Sequence, residues 1–305
     1  MEIKTVAIIG LGAMGILYGS HLAKRMPQAD LRIIADQQRI DRYLKDAIFC
    51  NGQRCEFHYV TPEEKTSPAD LILFTVKYSG LEDAIRAVKN QVGENTLILS
   101  ALNGITSEAM IGQVYGHDKV LYSVAQGMDA VKEGNRLTYA HMGFLCFGDR
   151  EAGSSSAKVK RVADFFTKME FPYLVDTDMP KRLWGKLMLN VGVNQAVAVY
   201  GSNYGVIQKE GTARDTMIAA MREVIALAEK EGIDLTEADL DYWLGVLSRL
   251  SPEGKPSMRQ DVEAGRYSEV ELFAGTVIEL GKKYGIATPV NQSLYDQIKA
   301  TEAGY

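Results

Sequence analysis

The feature that most constrains the fold lies at the start of the chain, in the run IKTVAIIGLGAMGILYGSHLAKRM. Residues 3–9 form a short β-branched run that reads as a strand, and the segment from residue 16 has the apolar periodicity of a helix. Between them stands G-L-G-A-M-G, comprising Gly10, Leu11, Gly12, Ala13, Met14 and Gly15. A GxGxxG turn leading from a strand into a helix is the context that dinucleotide binding requires. Gly10 permits the tight turn, Gly12 lets the backbone approach a pyrophosphate, and Gly15 allows close packing of helix on strand. The free N–H groups and dipole at the helix N-terminus then favour the anion. The alternative is a glycine turn that only packs a strand against a helix.

A second strand, residues 31–35, ends at Asp36, 21 residues past Gly15. The fingerprint places there an acidic group for the ribose 2′-hydroxyl, and a carboxylate repels a 2′-phosphate, so Asp36 argues for NAD(H). Arg39 lies close enough to stack on adenine or meet a phosphate, and Asp36 could equally cap the helix expected over 37–45. Residues 47–60 read as a hairpin or two short strands turning near Asn51-Gly52. The apolar runs 70–76 and 96–101 have the character of parallel strands buried on both faces. Lys77 directly follows the first run and Asn103 lies just beyond the second. Ligands of open α/β sheets sit beyond the carboxyl ends of the strands, which makes both residues site candidates. Strands are expected at 120–128, 137–147 and 171–175, with a helix over 154–169. From Asp178 the strand signal disappears, and helices are expected at 178–201, 212–231, 236–250 and 269–284. The pattern predicts a doubly wound α/β domain of the Rossmann type over residues 1–177, followed by an all-α domain over 178–305.

With a net charge of −5 and no dense Lys/Arg block, the chain is a poor candidate for nucleic-acid or anionic-membrane binding. Its three cysteines, Cys50, Cys55 and Cys146, match no zinc or redox spacing, and no other metal-ligand motif stands out. No signal peptide and no long apolar span is legible, so a cytoplasmic protein is expected.

Residues 178–201, DMPKRLWGKLMLNVGVNQAVAVYG, read as a helix that is apolar nearly all round yet carries Lys186, Asn190 and Asn194. These fall at successive i, i+4 spacings and so line one face. An unpartnered buried amide costs roughly 2–7 kcal/mol by transfer measures, so the stripe is either satisfied in the core or presented to a ligand. A nicotinamide site also needs a proton source for the developing alkoxide. None of the four histidines sits in a motif. A lysine whose pKa is drawn toward neutrality can serve, and Lys186 has that environment.

The segments GLGAMG (10–15), LILFTVK (71–77), LNG (102–104), RLWGKLMLNVGVN (182–194), SMRQD (257–261) and SEVE (268–271) together resemble the ketopantoate reductase family, 2-dehydropantoate 2-reductase, along the whole chain. The resemblance implies a Rossmann domain and a helical domain, with a 2-keto acid bound between them. It implies Lys186 as the catalytic lysine acting on the C2 keto oxygen, and Glu269 as its acidic partner, which binds the substrate hydroxyl. Asn190 and Asn194 would hold the hydroxyl end of the substrate, Ser257 its carboxylate, and Asn103 and Lys77 would stand beside the nicotinamide ribose and keto group. Without the resemblance, Glu269 reads as a solvated capping residue and Ser257 as a helix cap. The family implies NADP(H), reduction of ketopantoate to pantoate for pantothenate and CoA synthesis, and a monomer or homodimer. Several departures stand out. Asp36 replaces the arginine many relatives use for the 2′-phosphate. Tyr204 and the Gly254-Lys255-Pro256 stretch replace asparagines, and Glu271 stands where Asp is common. Lost amides open the alternative of an NADH-dependent D-2-hydroxy acid dehydrogenase acting on other branched 2-keto acids. A 3-hydroxy acid dehydrogenase of the 6-phosphogluconate type lacks its Gly-rich substrate signature here, and a nucleotide sensor without turnover would need neither Lys186 nor Glu269.

Overall fold

The computed structural model describes residues 2–153 and 155–305, and the chain divides into two compact units, Met1–Pro180 and Lys181–Tyr305. The strands of the first unit are β1 (Val6–Ile9), β2 (Leu31–Ile34), β3 (Phe49–Cys50), β4 (Gln53–Arg54), β5 (His58–Val60) and β6 (Leu71–Phe74). They continue with β7 (Leu97–Ser100), β8 (Val120–Gln126), β9 (Val131–Glu133), β10 (Arg136–Thr138), β11 (Phe144–Gly148) and β12 (Tyr173–Val175). Five helices intervene: α1 (Ala13–Ala23), α2 (Gln37–Asp46), α3 (Leu81–Ala87), α4 (Ser107–Tyr115) and α5 (Ala157–Lys168).

Eight strands form one sheet in the order β12-β11-β8-β7-β6-β1-β2-β5. Every pairing is parallel except β8 with β11. Every residue of β1, β2, β6 and β7 is buried, as strands covered on both faces must be. Alternate side chains feed two cores: Val6 and Ile8 belong with Leu17, Leu73 and Phe166, while Ala7 and Ile9 belong with Ile34, Ile72 and Ile85. One charge enters this sheet. The Arg32 guanidinium, in β2, donates to Thr66 Oγ1, Ser67 O, Ser67 Oγ and Gln91 Oε1, all of them neutral acceptors.

The hairpin expected within 47–60 is present as β3 and β4, while His58–Val60 leaves it to pair with β2 in the large sheet; Asn51 and Gly52 both take positive φ (46° and 78°), as a two-residue hairpin turn demands. The expected single strand over 137–147 is two. β10 joins β9 and β3 in a four-stranded sheet, β4-β3-β10-β9, while β11 returns to the large sheet. Gly143 makes the transfer, with φ 65° and so little room that a Cβ would lie 2.3 Å from the Gln126 carbonyl oxygen. The helix expected from residue 154 begins at Ala157, capped by the Ser156 hydroxyl; Ser154 lies outside the described residues.

No strand follows Val175 among the described residues. The helices there are α6 (Met179–Val199), α7 (Tyr204–Gln208), α8 (Thr212–Lys230), α9 (Glu237–Leu247), α10 (Ser257–Glu263), α11 (Thr276–Tyr284) and α12 (Pro289–Glu302). Gly232 and Gly285 leave α8 and α11 at φ 73° and 66°, and Thr236 and Asp239 form a capping box at α9. Two expectations are corrected. Residues 269–284 are not one α-helix, because Glu271–Gly275 forms a π-helical turn before α11, and α9 stops at Leu247, short of residue 250. α7 and α12 went unannounced. α7 is a single short turn, and α12 buries Asn291, Leu294, Ile298 and Glu302, so half of its inward face is polar and its apolar period is faint.

Candidate functional site

Strand order in the large sheet reverses between β1 and β6: β2 and β5 lie on one side of β1, and β6, β7 and β8 follow on the other. Loops leaving the carboxyl ends of adjacent strands at such a switch point diverge and open a crevice. A cavity of about 1160 Å³ is found there, lined by Gly10 to Gly12 after β1, Asp36 and Arg39 after β2, and Val76, Lys77 and Gly80 after β6. Arg42, Tyr43 and the β9–β10 hairpin residues Lys132, Gly134 and Asn135 extend its wall.

The three glycines of the loop differ in what they leave room for. Gly10 has φ 97°, and a Cβ would meet Val76 at 2.8 Å. A Cβ on Gly15 would lie 1.9 Å from the Gly10 carbonyl oxygen, so these two fix the turn against β6. A Cβ on Gly12 meets nothing closer than Thr75 O at 3.7 Å, so its side of the loop faces open space. Thr75 ties the turn down by donating its hydroxyl to the carbonyls of Ile9 (3.0 Å) and Gly10 (2.7 Å). Gly12 is the N-cap of α1 and brings no side chain over the helix N-terminus, which leaves Ala13 and Met14 at the start of the helix. Leu11 is buried. These features fit a pyrophosphate: an uncovered helix N-terminus, a backbone approachable at Gly12, and a cavity continuing to Asp36.

Asp36 is the N-cap of α2. Its Oδ1 accepts from the Arg39 N–H at 2.8 Å and its Oδ2 lies 3.4 Å from Arg39 Nε. It lines the cavity and caps the helix at once. Lys77 is exposed at the mouth of the same cavity. Asn103 is half-buried in the loop between β7 and α4. That loop is closed at its base by a contact of 2.8 Å between the Ser100 and Ser107 hydroxyls. Ser107 also donates to Glu108, whose carboxyl is pushed up to about 7 by burial against the opposing hydrogen bonds from Ser107 and the backbone.

In the second unit the polar stripe of α6 is real. Asn190 and Asn194 are buried, and Asn194 Nδ2 reaches Asn190 Oδ1 at 3.4 Å. Asn194 Oδ1 in turn faces the Ser257 hydroxyl and the Met258 N–H, each at 3.4 Å. Asn190, Asn194 and Ser257 are thus brought together. Ser257 is the first residue of α10, and Pro256 is the cap. One turn before Asn190, Lys186 is half-buried, and burial draws its ammonium down from 10.5 to about 8. Glu269 is half-buried immediately ahead of the π turn, and its carbonyl accepts from the N–H groups of Leu272 and Phe273. Tyr204 N–H donates to Gly254 O, and the phenol ring packs where a Gly254 Cβ would stand. Burial pushes the phenol up to about 12.

The sequence reading passed over Arg42 and Tyr43, which stand on α2 outside any motif, and Lys132 and Asn135, since no local motif ties a distant hairpin to the glycine loop. It also passed over Gln195, whose amide donates to Val191 O and to Asn291 Oδ1. Among the described residues no helix is long and apolar enough to cross a membrane.

Residues 6–152 match the sequence profile described as ketopantoate reductase PanE/ApbA, and residues 178–302 match that of its C-terminal domain. The chain belongs to the ketopantoate reductase PanE/ApbA family. A 2-dehydropantoate 2-reductase of Aquifex aeolicus is 28% identical over 300 residues, covering 97% of this chain and 96% of the relative. Among solved structures, a D-mandelate dehydrogenase in complex with NADH superposes with a TM-score of 0.87 at 22% identity, covering 98% of this chain and 99% of that one. A PanE/ApbA family ketopantoate reductase from Ralstonia eutropha superposes with a TM-score of 0.82 at 23% identity, over 98% and 99% of the two chains. At these identities the structural likeness establishes the fold that family members share.

Proposed function

We propose that this ketopantoate reductase family member reduces the keto group of a 2-keto acid, with ketopantoate the leading substrate and pantoate the product. The observation that carries the reading is the amine of Lys186 on the same face of α6 as Asn190 and Asn194, in a chain whose first unit holds the glycine-loop cavity. A reduced nicotinamide dinucleotide bound in that cavity would supply the hydride. The glycine loop and the N-terminus of α1 hold its pyrophosphate, and Asp36 takes the ribose 2′-hydroxyl, which favours NADH.

Lys186 carries the chemistry on the protein side. Protonated, it places positive charge beside the keto oxygen as negative charge develops there. It then gives its proton to that oxygen, so the C2 carbonyl gains one hydride and one proton and becomes the secondary alcohol. An ammonium at about 8 is still mostly charged at neutral pH, yet it releases its proton more readily than an ordinary lysine. Ser257 receives the carboxylate of the substrate. Asn190 and Asn194 hold its hydroxyl end, and Glu269 meets the hydroxyl and sets the charge on Lys186. Asn103 and Lys77 hold the nicotinamide side.

A second reading is a D-2-hydroxy acid dehydrogenase for bulkier 2-keto acids lacking the hydroxyl. Tyr204 packed over Gly254 favours it, because an aromatic ring there offers apolar surface in place of amides. A steady-state panel of ketopantoate, 2-ketoisovalerate and benzoylformate, each with NADH and NADPH, separates the two. The first reading expects the highest kcat/KM for ketopantoate with NADH. Preference for benzoylformate establishes the second, and no turnover of any of the three sinks both.

A further inference from the structure

Outside the site just described, the most deeply buried carboxyl of the second unit belongs to Glu302, in the last turn of α12 and only 2% exposed. A carboxyl group withdrawn from water at that depth is tolerated only when its oxygens are hydrogen-bonded. Glu302 Oε1 accepts two short bonds, from the Ser268 N–H at 2.8 Å and the Ser268 hydroxyl at 2.6 Å. Lys299 Nζ lies 3.5 Å from the other oxygen. Both bonds therefore converge on the residue directly before Glu269.

The segment beyond Glu269 explains why it needs such a hold. Glu271–Gly275 is π-helical, a wider turn that breaks the ordinary α-helical ladder and occurs often at functional sites. α12 braces this turn along one face. Tyr295 donates to Glu271 Oε1 at 2.7 Å, Lys299 Nζ stands 3.3 Å from the same oxygen, and Glu302 takes Ser268. Positions 295, 299 and 302 follow the i, i+4, i+7 spacing of one helical stripe. Glu271 and Lys299 are well exposed, so their pair contributes little by itself. The bonds of the half-buried Ser268 to the buried Glu302 carboxyl are the firm contact.

We propose that Glu302 is a positioning residue for Glu269: through Ser268 it fixes the backbone from which the Glu269 carboxylate meets the substrate. The proposal rests on the reading of Glu269 as the acidic group of the site. Displacing a site group by a fraction of its reach, with no change in the group itself, can cost up to about 100-fold in rate.

The test measures steady-state kinetics with whichever of the three 2-keto acids is turned over fastest, together with cofactor affinity and Tm. Glu302→Gln and Ser268→Ala are each expected to lower kcat/KM for the keto acid by about 10-fold or more, with cofactor affinity unchanged. Ser268→Thr, which keeps the hydroxyl, should retain activity. In a Glu269→Gln background, Ser268→Ala should add no further loss. Folded Ser268→Ala protein with unaltered kcat/KM overturns the proposal, and so does a loss that multiplies with that of Glu269→Gln. Should Glu269→Gln itself turn over like the unaltered chain, the reading of Glu269 fails instead.

Discussion

Asn194 and Asn190, one turn apart on α6, meet amide to carbonyl at 3.4 Å, longer than the roughly 2.7–3.2 Å of a well-made N–H···O bond. The contacts of Asn194 with Ser257 and Met258 are equally long. Gln195, the next residue, is held differently: its amide stands 2.8 Å from Val191 O and 2.9 Å from Asn291 Oδ1. Asn291 in turn donates to Glu223 at 2.7 Å. One helix thus carries a slack amide, Asn194, beside a tight one, Gln195. Slack contacts can be exchanged for better ones with a ligand, whereas Gln195 has committed its amide donors to the fold.

The first prediction follows from that contrast. Asn194→Ala should raise KM for the keto acid while costing about 1 kcal/mol or less of stability, and Gln195→Leu should do the reverse, costing about 1–3 kcal/mol through the stranded Asn291. Urea titrations and steady-state kinetics on both variants check the assignment. Equal KM effects would remove the distinction.

Lys186 joins activity to pH. Its folded-state pKa of about 8 lies below the ordinary 10.5 because burial disfavours the charge. The proposed mechanism needs the protonated amine, so kcat/KM should fall as pH rises through about 8. Lys186→Ala should lose several orders of magnitude in turnover with cofactor affinity retained. Stability should move the other way in Lys186→Met. The burial penalty is full below the folded pKa and fades between it and 10.5, as the unfolded chain then loses the advantage of holding the proton. The variant should therefore be more stable at pH 7, on the order of 1–3 kcal/mol after allowance for partial exposure, with the gain shrinking above pH 8. A pH-independent difference would rule out the titration of Lys186 as its source.

The glycines divide by what an added methyl would meet. Gly15→Ala puts a methyl 1.9 Å from a backbone oxygen that cannot yield, and a loss of about 3 kcal/mol or more is expected. Gly12→Ala meets nothing closer than 3.7 Å, so its Tm should hold while cofactor affinity drops. Fluorescence titration with NADH beside thermal melts tests the pair; retained affinity in Gly12→Ala would mean that the pyrophosphate lies elsewhere.

Asp36 caps α2, and one substitution separates that cap from the ribose contact proposed for it. Asp36→Ser keeps an N-cap hydroxyl for α2 but removes the charge, and should raise the NADPH-to-NADH ratio of kcat/KM with little change in Tm. Asp36→Ala should also lose about 1 kcal/mol with the cap. An unmoved cofactor ratio in Asp36→Ser would detach this residue from the ribose.

How much of this was legible beforehand depends on whether the signal was local. The buried strands VAII, LILF and LILS announce themselves because both faces are covered and nearly every residue is apolar. The i, i+4 spacing of Lys186, Asn190 and Asn194 survives as a shared face because helix geometry is rigid. The β9–β10 hairpin was missed as a cavity wall because its partner, β3, lies more than eighty residues away. α12 was missed because Asn291 and Glu302 occupy inward positions that an amphipathic pattern reserves for apolar residues. Ser268 opens the SEVE segment, but nothing in the sequence links it to Glu302; only the folded chain pairs them.

The π turn at Glu271–Gly275 has a consequence for how this segment tolerates length changes. A widened turn holds one residue more than the α-helical turn it replaces, and each residue advances an α-helix by about 100°. Excising one residue within 271–275 would let the segment wind as ordinary α-helix continuous with α11. Everything upstream, Glu269 included, would then swing by roughly that angle about the helix axis. The extra residue thus acts as an angular offset: it sets the direction in which Glu269 points without altering a single side chain.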